Sequence, residues 1–377
     1  MTAGRKLGVG VVGALAWAEK AHLPGYANYD RCRRVAICDI VPERAQQLAD
    51  KFGFERVYSD VATMLADTDI EMVDLCTPTD THVPLSRQVL AAGRHLLCEK
   101  PIAHEAVDAF ALDREARAAG VRTKVGFTFR YSPALKQIKR WIVDGSLGEI
   151  YHVHGFQQNS QWLDPMVPLR QYHTVPEGET LLPASIVGYG SHLVDLLRWL
   201  AGDVKAVSSL MRNYVLERIV RGKPGLQKLA IDDGTVAIMD YESGAQGVLQ
   251  TSFIAVGNYP GVEIRVYGSK GAAVGRLISE FGVAETLHRA DAGSVEFKQI
   301  DLPPASFPPG ADIHTPWPEL YYRQLVRDWT DEILDDGPRD NTFFDGAKAQ
   351  EIVNAIVLSH KRRAWVELPL YGTDSAP

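Results

Sequence analysis

The stretch Leu7-Gly-Val-Gly-Val-Val-Gly-Ala-Leu-Ala-Trp-Ala18 decides how the rest of the chain is read. Arg5 and Lys6 precede this chargeless run and small residues close it, so it imitates a secretory leader. Val9, Val11 and Val12 followed by Gly13 also read as a short buried strand breaking into a glycine turn, and cleavage after Ala18 would remove that strand. The run is too short to cross a bilayer. The strand reading prevails because the next hundred residues need it as a partner.

From Leu7 to Gly126 short apolar runs alternate with helical patterns, the signature of parallel βαβ units. The expected strands are Val9–Val12, Val35–Asp39, Met72–Cys76, His95–Glu99 and Thr123–Phe127. The expected helices lie near Glu19–Asn28, Pro42–Phe52, Val83–Ala92 and Glu105–Ala119, with Gly93 and Gly120 just past two of them. Such sheets hold ligands at the carboxyl ends of their strands.

After Gly126 the pattern changes. A helix near Pro133–Asp144 leads to β-like runs at Glu149–Phe156, Val204–Met211, Thr235–Tyr241, Gly247–Ile254, Val262–Tyr267 and Gly271–Leu277, separated by turns such as Glu242-Ser-Gly244. Sequential hairpins of this kind predict an antiparallel sheet and an α+β second half. A helix from about Ser191 to Leu200 interrupts it, Leu302–Pro318 reads as a loop, and helices near Glu319–Asp335 and Asp345–Arg363 close the chain. The domains expected are therefore 1–126 and 127–377, with packing of the last helix back on the first domain as an open alternative, in line with a length of about two and a half typical domains.

Composition narrows the partners. Of 377 residues, 46% are hydrophobic and 23% charged, enough apolar material for a large core. The net charge is −7 and no basic run stands out, which argues against nucleic acid and anionic membranes as partners. Cys32, Cys38, Cys76 and Cys98 show no C-x-x-C spacing, so neither a zinc site nor a disulfide framework is indicated. Buried free thiols in a reducing, cytoplasmic setting are the plain reading.

Gly8-Val-Gly10-Val-Val-Gly13 matches G-x-G-x-x-G, but a dinucleotide turn needs its first glycine at the end of the strand, and Gly8 and Gly10 fall before or inside it. The turn that follows the strand is Gly13-Ala14-Leu15-Ala16-Trp17-Ala18, with Leu15 where a second glycine is expected. By itself this turn equally suits a strand–helix corner with no ligand. Asp39 adds weight. It ends the second strand, about where a carboxylate hydrogen-bonds the adenosine ribose, and its charge would repel a 2′-phosphate, so NAD is favoured over NADP. The alternatives are that Asp39 only ends its strand or caps the next helix, and that Arg44 meets a phosphate.

By Glu99-Lys100-Pro101 the sequence resembles the glucose–fructose oxidoreductase/inositol dehydrogenase/rhizopine catabolism (Gfo/Idh/MocA) family. The resemblance extends through His22-Leu-Pro24, Cys38-Asp39 with Pro42-Glu-Arg-Ala45, Thr77-Pro-Thr-Asp-Thr-His82, Ala92-Gly-Arg-His95, Gly145-Ser-Leu-Gly-Glu149, Gly190-Ser-His192-Leu-Val-Asp195, Tyr267-Gly-Ser-Lys-Gly271 and a short strand at Trp365–Leu368. It implies a Rossmann domain plus an α+β domain whose large, mostly antiparallel open sheet forms oligomer contacts in dimers or tetramers. It also implies an oxidoreductase acting on a small polyhydroxylated substrate. Lys100 and His192 are then the catalytic candidates: an ammonium eases charge developing on the substrate oxygen, and an imidazole exchanges a proton near neutral pH. Thr77, Pro78, His82, Glu99 and Lys100 are expected to border the cofactor with the turn residues. Outside that context, Lys100 is a solvated strand-end lysine, and His82 and His192 are packed or capping histidines.

One residue departs from the family pattern. Four positions before His192, one helical turn away on the same face, the family carries an aspartate where this chain has Gly188. Tyr189 and Asp195 lie nearby, Asp195 at a position the family keeps for structure. Arg130, Tyr131, Trp162, Arg170, Tyr189 and His173 are polar or aromatic residues expected around a substrate cleft, though such residues on loops are often only surface. Tyr321, Tyr322 and Trp329 have the spacing of core or interface residues. The leading expectation is an NAD-dependent dehydrogenase for a secondary alcohol of a sugar, sugar acid or cyclitol. The missing aspartate motivates an alternative, a glycosidase or epimerase that recycles NAD internally. A non-catalytic sugar-sensing or regulatory homologue is the third reading.

Overall fold

The computed structural model describes residues 4–169, 181–257, 261–277 and 284–371. They group into two compact units, Met1–Tyr131 with Pro304–Gln350 and Ser132–Pro303 with Glu351–Pro377.

The first unit is built on six parallel strands, β1 (Leu7–Val12), β2 (Cys32–Cys38), β3 (Arg56–Tyr58), β4 (Met72–Leu75), β5 (His95–Cys98) and β6 (Thr123–Val125), in the order β3-β2-β1-β4-β5-β6. Both β1 and β4 are buried throughout, which is why they read as apolar runs, with Asp74 the one charged exception. Strand order reverses between β1 and β4, and a ligand crevice in such sheets lies at the carboxyl ends there. Inside β1 the decoy glycines serve packing: a Cβ on Gly8 would lie 1.8 Å from the Asp69 carbonyl, and one on Gly10 would press on Ile70.

After β1 the chain makes a π turn, Ala18–His22, running into α1 (Leu23–Ala27). The Leu23 amide reaches back five residues to the Ala18 carbonyl, and the wider turn accommodates Pro24, which has no N–H to give. Then come α2 (Pro42–Phe52), α3 (Val61–Leu65, capped by Asp60), α4 (His82–Ala91) and α5 (Ala106–Ala118). Both β3 and α3 are too short to leave a periodic signal, and neither is among the expected elements.

The second unit opens with α6 (Pro133–Val143), whose first turn is capped by Ser132, and then β7 (Ile150–Gln158). A π turn at Ile186–Gly190 continues into α7 (Ser191–Ala201). The strands that follow are β8 (Val204–Arg212), β9 (Glu217–Ile219), β10 (Leu226–Lys228), β11 (Gly234–Tyr241), β12 (Gln246–Ser252), β13 (Gly261–Gly268), β14 (Gly271–Leu277), β15 (Glu285–Asp291), β16 (Lys298–Ile300) and β17 (Val366–Glu367). Nine of the unit's strands form one sheet, β16-β15-β14-β13-β7-β12-β11-β8-β17, antiparallel except between β12 and β7. Gly155 in β7 lets α7 lie close, since a Cβ there would sit 3.0 Å from Leu197.

Two last helices are α8 (Trp317–Leu334) and α9 (Phe343–Arg362). By sequence residues 127–377 are expected in the second domain, with packing of the last helix back on the first domain left open; the segment that groups with the first unit is Pro304–Gln350. The reason is visible on α8. Its Tyr321, Tyr322 and Trp329 are buried, and Glu332 receives Lys124 and Arg122 from the β6 segment.

Candidate active site

In the first unit the expected cofactor residues converge on the carboxyl edge of the sheet. Gly13 adopts φ +103°, and a Cβ there would lie 2.6 Å from the Cys76 carbonyl, so only glycine fits at the β1–β4 reversal. Its amide donates to the Cys38 carbonyl at 2.8 Å. Asp39 at the end of β2 is tied to this turn: its Oδ2 accepts from the Ala14 amide at 2.7 Å and its Oδ1 from the Val41 amide at 2.8 Å. Arg44, the candidate phosphate contact, instead pairs with Asp39 at 3.3 Å. Leu15 and Ala16 are exposed at the start of the helical run, where amides have no carbonyl a turn earlier to bond. Such a turn, with a carboxylate beside it at a strand-order reversal, fits a dinucleotide. Sequence reasoning missed Ile40, an apolar side chain 88% exposed next to Asp39, because a lone isoleucine after a strand carries no signal.

Trp17 turns inward. Its indole N–H donates to Glu99 Oε1 and to the Tyr322 hydroxyl, both at 3.3 Å, and its ring packs on Trp317 at 5.6 Å. Glu99 is buried, and its Oε2 accepts from the Lys100 amide at 3.1 Å. Lys100 follows β5, partly exposed, and its peptide bond to Pro101 is cis. Thr77 and Pro78 follow β4, with the Thr81 hydroxyl donating to Thr77 Oγ1 at 2.8 Å.

Three candidates do not stand where a ligand would meet them. His82 is 1% exposed, with Nδ1 2.7 Å from the Pro101 carbonyl and Nε2 2.8 Å from the Thr77 carbonyl. It staples the loops after β4 and β5 to each other, and burial lowers its pKa. Arg130 is 3% exposed and pairs with Asp340 and Asp345 at 3.1 and 3.5 Å, so its guanidinium holds the chain before α9. Tyr131 is buried beside it, and burial raises its phenol well above the usual range. Arg170 and His173 lie outside the described residues.

In the second unit His192 is buried near the start of α7, and Tyr189 lies in the π turn before it. Tyr189, Trp162 and Phe253 form an aromatic cluster, with ring centroids 4.9 Å apart for Trp162–Phe253 and 5.0 Å for Tyr189–Phe253. The Asn159 side-chain amide donates to the Tyr189 hydroxyl. Asp195 is buried. Because Ile186–Gly190 is a π turn, Gly188 and His192 are not one α-turn apart as the four-residue spacing suggests. Among the described residues, a Cβ on Gly188 would meet only the Phe253 ring, at 4.0 Å.

The start of this helical run is held by a residue that no motif marked. Asp232, fully buried, accepts from the Ala184, Ser185 and Ile186 amides and from the Ser185 and Thr235 hydroxyls. Burial pushes its carboxyl up to about 6 against those donors. Its neighbour Asp233 points the other way and pairs with the buried Arg218, which also donates to the Trp162 carbonyl.

Comparison with known proteins places the chain. A family model described as "Oxidoreductase family, NAD-binding Rossmann fold" matches residues 7–127, and the Gfo/Idh/MocA C-terminal domain model matches residues 135–274. Levoglucosan dehydrogenase of Pseudarthrobacter phenanthrenivorans is 27% identical over 401 residues, covering 97% of this chain and 99% of its own. Myo-inositol 2-dehydrogenase of Thermotoga maritima is 29% identical over 287 residues, 76% of this chain and 80% of its own. A solved levoglucosan dehydrogenase in complex with NADH has the same fold, with TM-score 0.86 at 24% identity, covering 97% of this chain and all of that one. With both of its domains matched across well over half its length, the chain belongs to the Gfo/Idh/MocA family of oxidoreductases and carries that family's NAD-binding Rossmann domain.

Proposed function

We propose that this protein is an NAD-dependent dehydrogenase that oxidises a secondary alcohol of a sugar, sugar acid or cyclitol. The observation that carries the reading is Lys100 at the carboxyl end of β5, on the same sheet edge as the Gly13 turn and Asp39. The names of the relatives, which act on levoglucosan and myo-inositol, support a polyhydroxylated substrate. Neither internal NAD recycling nor a regulatory role gains support from them.

Asp39, the Gly13–Trp17 turn and the exposed Ile40 would hold the dinucleotide, the carboxylate accepting from ribose hydroxyls, the turn amides facing the pyrophosphate and the isoleucine offering an apolar face to the base. Bound NAD supplies the hydride acceptor. Lys100 donates a hydrogen bond to the substrate oxygen and stabilises its developing charge. His192 takes the hydroxyl proton. Trp162 and Tyr189 offer ring faces to the carbon side of a sugar. The test is quenching of intrinsic fluorescence on titration with NAD and with NADP, then absorbance at 340 nm over a panel of sugars, sugar acids and inositols. Saturable NAD binding with NADH release on one class is expected; absence of binding to either nucleotide defeats the reading.

Gly188 has a specific consequence. The space beside Phe253 admits a side chain, so Gly188→Asp is expected to fold normally, with KM for the native polyol raised about tenfold because the carboxylate occupies room the substrate uses, about 1.4 kcal/mol. The kcat is expected to change less than about threefold, since Lys100 and His192 suffice. A kcat increase beyond tenfold would mean the wild-type site lacks a carboxylate it needs.

We further propose that the chain self-associates through the outer face of the nine-stranded sheet. Leu210 and Val236 are paired on that face, and Ile238 lies two residues on; all three are exposed. A cytoplasmic location is supported by four free, buried cysteines.

A further inference from the structure

Behind Lys100 the first unit holds a buried chain of ionisable groups that the reaction above does not use. His22, fully buried in the π turn, lies between two carboxylates: Nδ1 is 2.8 Å from Asp74 Oδ2 on β4, and Nε2 is 3.3 Å from Glu99 Oε1, an ion-pair contact. Hydroxyl, indole and amide donors around the group point at the same two carboxylates. The Tyr26 hydroxyl donates to Asp74 Oδ2 at 2.9 Å. From α8 the Tyr322 hydroxyl donates to Glu99 Oε1, which also receives the Trp17 indole, and Glu99 Oε2 receives the Lys100 amide. The Tyr322 ring lies over the imidazole, centroids 4.2 Å apart, and the Cys76 thiol is the remaining titratable neighbour.

A neutral imidazole would turn a lone pair toward one of these carboxylates and move a proton onto it. These donors are aimed at the same carboxylate groups that face the two ring nitrogens, an arrangement that favours the proton on His22. Burial is the strongest single influence and by itself would neutralise the ring, but the charge and hydrogen bond of Asp74 together with those of Cys76 outweigh it and raise the pKa. Glu99 is lowered despite its burial, chiefly by His22 and then by the Lys100 charge.

We propose that His22 is a positioning residue, a buried imidazolium bridging Asp74 and Glu99 that fixes Glu99 as the anion behind Lys100 and thereby keeps the Lys100 amine charged. This role rests on Lys100 acting as proposed above. The Lys100 charge is itself among the influences that lower Glu99, so a change of charge on one is felt by the other.

The test needs no cofactor or substrate. Nitrogen-15 spectra of histidine-labelled protein, with His22 assigned by the His22→Gln variant, are expected to show both ring nitrogens protonated through pH 8. Trace acetylation with peptide mass spectrometry between pH 7 and 11 reads the titration of the Lys100 amine. It is expected to fall by about one pH unit in Glu99→Gln, which leaves Lys100 without an ionised neighbour, and by less in His22→Gln, where the Tyr322, Trp17 and Lys100-amide donors still favour the Glu99 anion. The sign of the stability effect follows from the raised imidazole: its pairing contributes fully below about pH 6.5 and is lost as pH rises through the folded value. The melting difference between wild type and His22→Gln therefore shrinks with rising pH. If His22→Gln does not fold, the wild-type spectra and Glu99→Gln decide. A neutral His22 at pH 7, or an unmoved Lys100 titration in folded Glu99→Gln, overturns the proposal. Failure to bind NAD or oxidise any polyol would instead refute the dehydrogenase reading and leave these measurements standing.

Discussion

Lys100→Met is expected to lower kcat by about a thousandfold, or about 4 kcal/mol of transition-state stabilisation, while leaving NAD affinity within about threefold. Methionine keeps the length and the apolar stem of the side chain and removes only the charge and its donors. Glu99, Trp17 and Tyr322 stay hydrogen-bonded to one another, so the strand end does not collapse. Lys100→Arg keeps the charge but presents a planar fork in place of a compact ammonium, and is expected to lose about ten- to a hundredfold. Steady-state kinetics with the polyol identified by the screen, together with fluorescence titration of NAD, separate the two effects. Retention of more than a tenth of wild-type kcat by the methionine variant would remove Lys100 from the chemistry.

The largest effect on stability is expected at Asp232. Replacing it with alanine leaves the buried Ala184, Ser185 and Ile186 amides and two hydroxyls without their acceptor, although Ser185 Oγ keeps its 2.7 Å contact with Thr251. A loss of about 3–5 kcal/mol is expected, seen calorimetrically as a transition about 10 °C lower. Activity should fall as well, because Tyr189 and His192 ride on the helical run that Asp232 anchors. Asp232→Asn keeps the shape and one accepting oxygen, and is expected to recover part of both losses. A shift of less than about 2 °C in the alanine variant would show that the freed amides find other acceptors.

The two residues differ in how they can be found. Lys100 is legible because Glu99-Lys-Pro101 sits in a fixed order with the other family pieces, and a strand end in a parallel sheet is where ligands bind. Asp232 stands in Ile231-Asp-Asp-Gly234, which reads as an ordinary turn before a strand. Apart from Thr235, its partners lie 46 to 48 residues earlier, and no local pattern joins them. The same holds for His22 and Asp74. A histidine in a helix and an aspartate in an apolar strand look like separate oddities until the parallel register of β1 and β4 and the π turn place them 2.8 Å apart.

By itself the sequence determined the two architectures, because side-chain periodicity and glycine positions report local backbone geometry directly. It also determined the turn at Gly13 and the carboxylate at Asp39, since both follow from where a strand must stop. Only the tertiary structure decided which polar residues are available to a ligand. It buried His82 against two carbonyls and Arg130 against two carboxylates, grouped Pro304–Gln350 with the first unit, and opened space at Gly188 beside Phe253. The physical reason is range: backbone preference acts over a few residues, whereas the pairing of a buried charge depends on whatever the completed fold brings within about 3 Å of it.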